Sequence, residues 1–160
     1  MGLGSNGFFF ILRVSLIKLK ESLMSILIWS ESLRVNFEAI DSQHQKLFDL
    51  ANAFYIELYN GAEKPILAEK LKDLTDYAIL HFKMEEDLLF QYNHPDATIH
   101  AREHAEFVDE LTRLNSRMEY EGLVISVGVI NFLRNSIINH IFVSDKNMAK
   151  YFVATDSKSE

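Results

Sequence analysis

From residue 40 onward the apolar positions recur at spacings that alternate between four and three, the period of one face of an α-helix. Four such stripes follow one another. The first runs Ile40, His44, Leu47, Ala51, Phe54, Leu58, and the second Leu67, Leu71, Leu74, Ala78, His81, Glu85, Leu88. The third runs Ala97, His100, His104, Phe107, Leu111, Leu114, Met118, and the fourth Ile130, Leu133, Ile137, His140, Ser144. Three breaks divide them: Asn60-Gly61 with Pro65, Asn93-His94-Pro95, and Glu121-Gly122. Gly and Asn end helices, and Pro prevents them from continuing. The connections near 61–65 and 93–96 are short, which makes sequential helices antiparallel neighbours. The pattern predicts an all-α protein, an up-down-up-down four-helix bundle with an N-terminal arm. Asp41 or Ser42 offers a cap for the first helix, although the stripe points to a slightly earlier start.

Composition supports this picture and removes several function classes. Two Pro and six Gly in 160 residues suit long uninterrupted helices better than many short strands. A net charge of −7 without a Lys/Arg cluster argues against nucleic-acid binding. The absence of Cys excludes disulfides, thiolate zinc sites, iron–sulfur clusters and cysteine catalysis.

The first two dozen residues differ from the rest. The apolar run at 8–17 is broken by Arg13 and is shorter than the ~20 residues that a membrane span requires. No basic residue precedes it and no small-residue cleavage site follows, so it does not read as a secretory signal. The expectation is that translation begins at Met24 and that residues 1–23 are upstream sequence read in frame. An amphipathic membrane-surface segment is the alternative. The expected organisation is an N-terminal extension over 1–23, the bundle over 24–154 and a polar tail over 155–160, with a cytoplasmic location and no membrane span.

The stripes carry an anomaly. Five of the six histidines lie on them, as does Glu85, and no Lys or Arg occupies any of those positions. Buried polar groups need partners, and a metal ion is one that serves imidazole and carboxylate together. Each piece alone is weak. A lone His44 is ordinarily a satisfied core histidine, and His81 with Glu85 is ordinarily a surface pair. His100 and His104 share a helix face at i and i+4, a ligand spacing that also arises by chance. Their depth is the stronger signal. His44 comes early in its helix, His81 late, His100 and His104 early and His140 late, which puts all five at one end of an up-down-up-down bundle. His94 precedes Pro95, off every stripe, and is left out. Asp145 lies about 140° from His140 on an ideal helix. Spacing does not favour it over Glu86 or Asp87.

Taken in order, Ile40-Asp41-Ser42-Gln43-His44, His81-Phe82-Lys83-Met84-Glu85-Glu86, His100-Ala101-Arg102-Glu103-His104 with Phe107, and His140-Ile141-Phe142-Val143-Ser144-Asp145-Lys146 resemble the signatures of the hemerythrins and bacterial hemerythrins. Trp29 also matches, and the resemblance spans roughly residues 28–152. It implies seven metal ligands: His44, His81, Glu85, His100, His104, His140 and Asp145. It places His44 and His81 on one iron and His100, His104 and His140 on the other. Glu85 and Asp145 would bridge them. The implied cofactor is two iron ions (Fe2+/Fe3+) bridged by hydroxide or oxo. With that bridge the three-histidine iron is saturated, and the two-histidine iron keeps one open position for dioxygen. Many bacterial relatives carry Trp four residues before the last histidine. Here that place is Ser136, which implies a less tightly walled oxygen pocket.

The resemblance implies reversible dioxygen binding for storage, transport or delivery, not an enzyme, with an oxygen-requiring enzyme as one recipient. A nitrogen-rich ligand set suits iron, and it lacks the ExxH pairs of the carboxylate-rich di-iron bundles. A dry pocket favours reversibility. Leu47, Phe48, Phe82, Ile137 and Ile141 are the expected walls. The alternatives are a di-iron enzyme (peroxidase, nitric-oxide-consuming or ferroxidase activity) and an oxygen or redox sensor.

Overall fold

The structure is a computed structural model that describes residues 25–120 and 127–157. The expected start at Met24, the segment before it and the break at Glu121-Gly122 lie outside the described residues.

Helix α1 spans Glu38–Tyr59, α2 Lys64–Gln91 and α3 Ala97–Tyr120. The fourth bundle helix is composite: α4 over Val127–Asn139, a π-helical turn over His140–Asp145, and α5 over Lys146–Asp156. Asn139 and Lys146 keep right-handed helical angles at the two joints, so the rod is continuous. There is no strand among the described residues.

The first two helix ends follow from their sequences. After α1, Gly61 takes φ +71°, the Ala62 N–H donates to Glu57 O and the Gly61 N–H to Leu58 O. After α2, Asn93 takes φ +50°, with the His94 N–H on Leu89 O and the Asn93 N–H on Phe90 O. Both are Schellman closures, which need a left-handed residue; Gly adopts it freely and Asn tolerates it. Each reverses the chain within a few residues, and α2 packs along both α1 and α3.

The buried face is the one the stripes mark. Ala51, Phe54, Leu71, Leu74, Ala78, Leu111 and Leu133 are buried in the main core. Burying each large side chain contributes about 1.5–3 kcal/mol. A second, smaller apolar cluster of Val35, Ile40, Leu89, Met148, Ala149 and Phe152 closes one end of the bundle. Leu89 is buried there, and Leu88, on the expected stripe, only half-buried.

An arm leads into α1 and is fastened by side chains. Asn52 accepts from the Ile26 and Leu27 N–H groups and donates to Leu27 O. Asp41 does not cap α1, which begins at Glu38 after Phe37. Buried in the first turn, its carboxylate instead accepts from the Val35 and Asn36 N–H groups and pairs with Arg34. That holds Val35 in the end cluster.

Candidate metal centre

Between the two apolar clusters lies a polar layer. His44, one turn beyond Ile40, comes from α1. His81 and Glu85, one turn before Leu89, come from α2, and His100 and His104 from the first turns of α3. His140 and Asp145 bound the π turn. All seven residues meet there. His44, His81, Glu85, His100, His104 and Asp145 are buried, and His140 is 15% exposed.

The π turn explains Asp145. On an α-helix a residue five positions on points elsewhere. With i→i+5 bonding it lies one turn above, on the same side. Asp145 Oδ1 is 3.0 Å from His140 Nε2. The extra residue also shifts everything after it. The inward positions become Ile141, Asp145, Met148 and Phe152, while Ser144, on the α-periodic stripe, is only half-buried.

The carboxylate oxygens divide the histidines into two sets. Glu85 Oε1 lies 3.4 Å from both His44 Nε2 and His81 Nε2. Its other oxygen, Oε2, lies 3.2 Å from His104 Nε2, 3.6 Å from His100 Nε2 and 4.0 Å from His140 Nε2. Asp145 does the same, with Oδ2 3.1 Å from His44 and Oδ1 3.2 Å from His100. Two donors about 2.1 Å from one ion and at right angles to it are about 3 Å apart, so these separations suit shared ions.

The outer nitrogens set the tautomers. His81 Nδ1–H donates to Gln43 Oε1 at 2.9 Å, His104 Nδ1–H to Glu86 Oε1 at 3.0 Å, and His140 Nδ1–H to Glu103 Oε2 at 3.0 Å. Each bond runs from a histidine to the preceding helix. A proton on Nδ1 leaves the Nε2 lone pair facing the centre. Sequence reasoning missed these three partners. Each directly flanks a site residue, but each serves a histidine on the next helix, which no spacing within one helix reveals. Asp87, the other acid that spacing left open, is exposed and paired with Lys83.

The inner atoms fit a metal. Both Glu85 oxygens, both Asp145 oxygens, His100 Nε2 and both His44 nitrogens are buried without a hydrogen-bond partner. His104 Nε2 and His140 Nε2 stand 2.9 Å apart. Without an ion one of them must take a proton; a cation uses both lone pairs. Two groups able to hold an ion share Glu85: His44, His81 and Glu85, and Glu85, His100, His104, His140 and Asp145.

Protonation of the ion-free layer follows the same geometry. Burial opposes charge on His44 and His100, but the Asp145 and Glu85 carboxylates facing each ring outweigh it and raise both to about 9. Burial lowers His81 to about 4 despite Glu85 nearby. Burial and the Glu85 charge push the Asp145 carboxyl up. Attraction to His140 and to the nearby His100 prevails and holds it below the usual carboxylate range. Burial likewise raises Glu85, and His81 with the imidazoles of His100, His104 and His44 around it brings it well below.

The sign of the pH effect follows. The stability that His44 and His100 contribute to the metal-free fold is complete below their ordinary 6.5 and is lost as pH rises through about 9. The carboxylate contribution is complete above 4.5 and is lost as pH falls through the depressed values. Metal needs neutral imidazole. Loading iron(II) near pH 7 is therefore expected to release protons from His44 and His100, and fewer as pH rises through about 9. Titration in weak buffer with a pH indicator checks this; release that does not vary with pH would contradict it.

A cleft of about 420 Å3 opens beside the layer and touches His81 and His140. Leu47, Phe82, Ile137 and Ile141 line it, as does Ser136. Phe48 does not; it is buried against Trp29, whose ring also lies 6.4 Å from that of His44. His94 stays outside the layer, packed on Tyr151, with its Nδ1 accepting from the Asp96 N–H.

A four-helix bundle with a histidine-rich layer around two carboxylates buried in its core defines the class as a bundle protein with residues able to hold metal. Residues 35–152 match the Hemerythrin HHE cation binding domain, and the chain belongs to the hemerythrin family. A hemerythrin-like protein of Naegleria gruberi is 33% identical over 117 residues, 73% of this chain and 86% of that protein. The bacteriohemerythrin of Methylococcus capsulatus is 27% identical over 124 residues, 77% and 94% of the two chains. A wild-type hemerythrin crystal structure aligns with a TM-score of 0.71 at 25% identity, covering 78% of this chain and 95% of that one. The family implies dioxygen binding at a non-haem di-iron centre. No helix among the described residues is long and apolar enough to cross a membrane.

Proposed function

We propose that this chain binds dioxygen reversibly at an iron pair held by His44, His81, Glu85, His100, His104, His140 and Asp145, for storage, transport or delivery. The observation that carries the reading is the division of the carboxylates: each turns one oxygen to the His44 side and the other to the His100 side. One ion would take His44 and His81, the other His100, His104 and His140, with Glu85 and Asp145 across both. When bound, the iron pair supplies the two electrons that reversible dioxygen binding requires.

The protein's part is to hold donors still and keep water out. Gln43, Glu86 and Glu103 orient the imidazoles through their outer N–H groups. Phe82 lies flat on His104, with ring centroids 3.9 Å apart, and the end cluster closes the bundle below. Limiting water there limits side reactions at the site.

Purified protein is expected to show a visible charge-transfer band in air that vanishes under argon and returns with air. His81→Ala should remain helical by circular dichroism and lose the band. A full di-iron signal in that variant would contradict the ligand set. A di-iron enzyme is the second reading, favoured by a cleft wider than a diatomic gas needs. Irreversible bleaching with sustained peroxide turnover would select it.

A further inference from the structure

We propose that the cleft beside the metal layer binds a small organic amine, its apolar body inside and its ammonium at the rim. This goes beyond dioxygen binding and does not depend on it. The first ground is size. At about 420 Å3 the cleft falls within the range of about 300–1,000 Å3 typical of small-molecule sites. One water occupies only about 30 Å3 of liquid, so a space meant for a diatomic gas would be far smaller.

The second ground is the lining. Leu47, Phe82, Phe107, Phe132 and Ile137 form an apolar wall drawn from all four bundle helices. Phe82, Phe107 and Ile137 are 8%, 9% and 5% exposed, so the wall belongs to the interior and is not a loose surface groove. Such a wall accepts a ring or a branched hydrocarbon, and the faces of its phenylalanines also favour a nearby cation.

The third ground is charge. Two carboxylates, Glu103 and Glu106, line the cleft, and among the described residues that line it there is no Lys or Arg. Both carboxylates reach solvent, with side chains 41% and 72% exposed, which places them at the rim. Glu103 accepts from His140 and from Ser144, both bonds at Oε2, which leaves Oε1 as an acceptor. Among the described residues, Glu106 has only a surface contact to Arg102 at 3.7 Å. An ammonium head meets this rim favourably and a carboxylate head is repelled by it. An occupant's apolar end would lie toward His81 of one metal group and His140 of the other.

The test is calorimetric titration of the iron-loaded full chain with 2-phenylethylamine, 2-phenylethanol and phenylacetate, repeated on the metal-free chain. Saturable binding is expected in the order amine, alcohol, acid, with the same order in both forms. Ser136→Trp, which fills the cleft, should weaken the amine at least tenfold. Glu106→Gln should weaken the amine roughly twofold to fivefold and leave the alcohol unchanged, the size of effect an exposed charge pair gives. Among the described residues Glu106 has no hydrogen bond or ion pair to a metal-layer residue, so this variant decides the matter even if Ser136→Trp does not fold. No saturable binding, an acid that binds best, or an amine-to-alcohol ratio that Glu106→Gln leaves unchanged would overturn the proposal. Amine binding that requires iron would also overturn it, since that is coordination to the metal. Iron content and the air–argon band, measured on the same samples, test the dioxygen reading separately.

Discussion

Glu85→Gln is expected to lower bound iron from two ions per chain to one at most, with the helical fold kept. The two side chains have nearly the same shape, so the bundle keeps its packing. The chemistry does not survive. Glu85 turns Oε1 to His44 and His81, each at 3.4 Å, and Oε2 to His104 at 3.2 Å. An amide has a single oxygen, and its NH2 group would face the other set of nitrogens as a donor. One ion site would lose one of its two carboxylate oxygens, keeping only that of Asp145, and the carboxylate charge that offsets two cations in a buried layer is halved. The loss of metal affinity should exceed the ~10–100-fold typical of losing an outer hydrogen-bond partner. Gln43→Leu, which removes only the acceptor for His81, provides that comparison. Metal analysis after gel filtration and circular dichroism check both variants. Two tightly held irons in Glu85→Gln would contradict its bridging role.

Phe152→Ala should cost about 3–5 kcal/mol of stability, the usual range for emptying a buried aromatic site. Phe152 is fully buried, stacks on Tyr92 with ring centroids 4.2 Å apart and meets Phe37 edge-on at 5.6 Å. Few side chains are better placed to close the end of the bundle. Against a total of about 5–15 kcal/mol for a typical domain, the loss is roughly a fifth or more. It also thins the plug under Asp145 and Glu85. Denaturant unfolding of the metal-free chain measures the first effect. The second should show as a several-fold faster decay of the coloured form in air. An unchanged decay rate in a variant that is folded but destabilised would mean that water does not reach the layer from this end.

How far each feature could be read in advance depends on its range along the chain. The ends of α1 and α2 were legible because Gly61 and Asn93 act on their own neighbours. The core stripes were legible because a regular helix repeats its buried face, and Ala51, Phe54, Leu71, Leu111 and Leu133 lie where the period puts them. The meeting of five histidines at one depth was legible for a related reason. Once helices alternate in direction, position along each one becomes height in the bundle.

Asp145 marks where that reasoning stopped. Its placement depends on a π turn, a change of hydrogen-bond partner that the residues His140–Asp145 do not announce. Met148 is inward on either period, about 20° from Ile137 on an ideal helix, whereas Phe152, about 60° away, sits deeper in the core than a strict α-period foresees. Asp41 offers a cap in the linear pattern, yet it holds the arm through Val35 and Asn36. Asn52 grips Leu27 from twenty-five residues away.

By itself, then, the amino-acid order determined the helices, their turns, the face each one buries and the polar residues carried on that face, because all of these arise from interactions within a few residues. Only the tertiary structure decided which carboxylate oxygen faces which imidazole, which outer group orients each ring, and that a cleft stands open beside Ser136. Those depend on atoms from different helices meeting within about 3 Å, the distance at which hydrogen bonds and metal ligands act, and a linear pattern does not encode that distance.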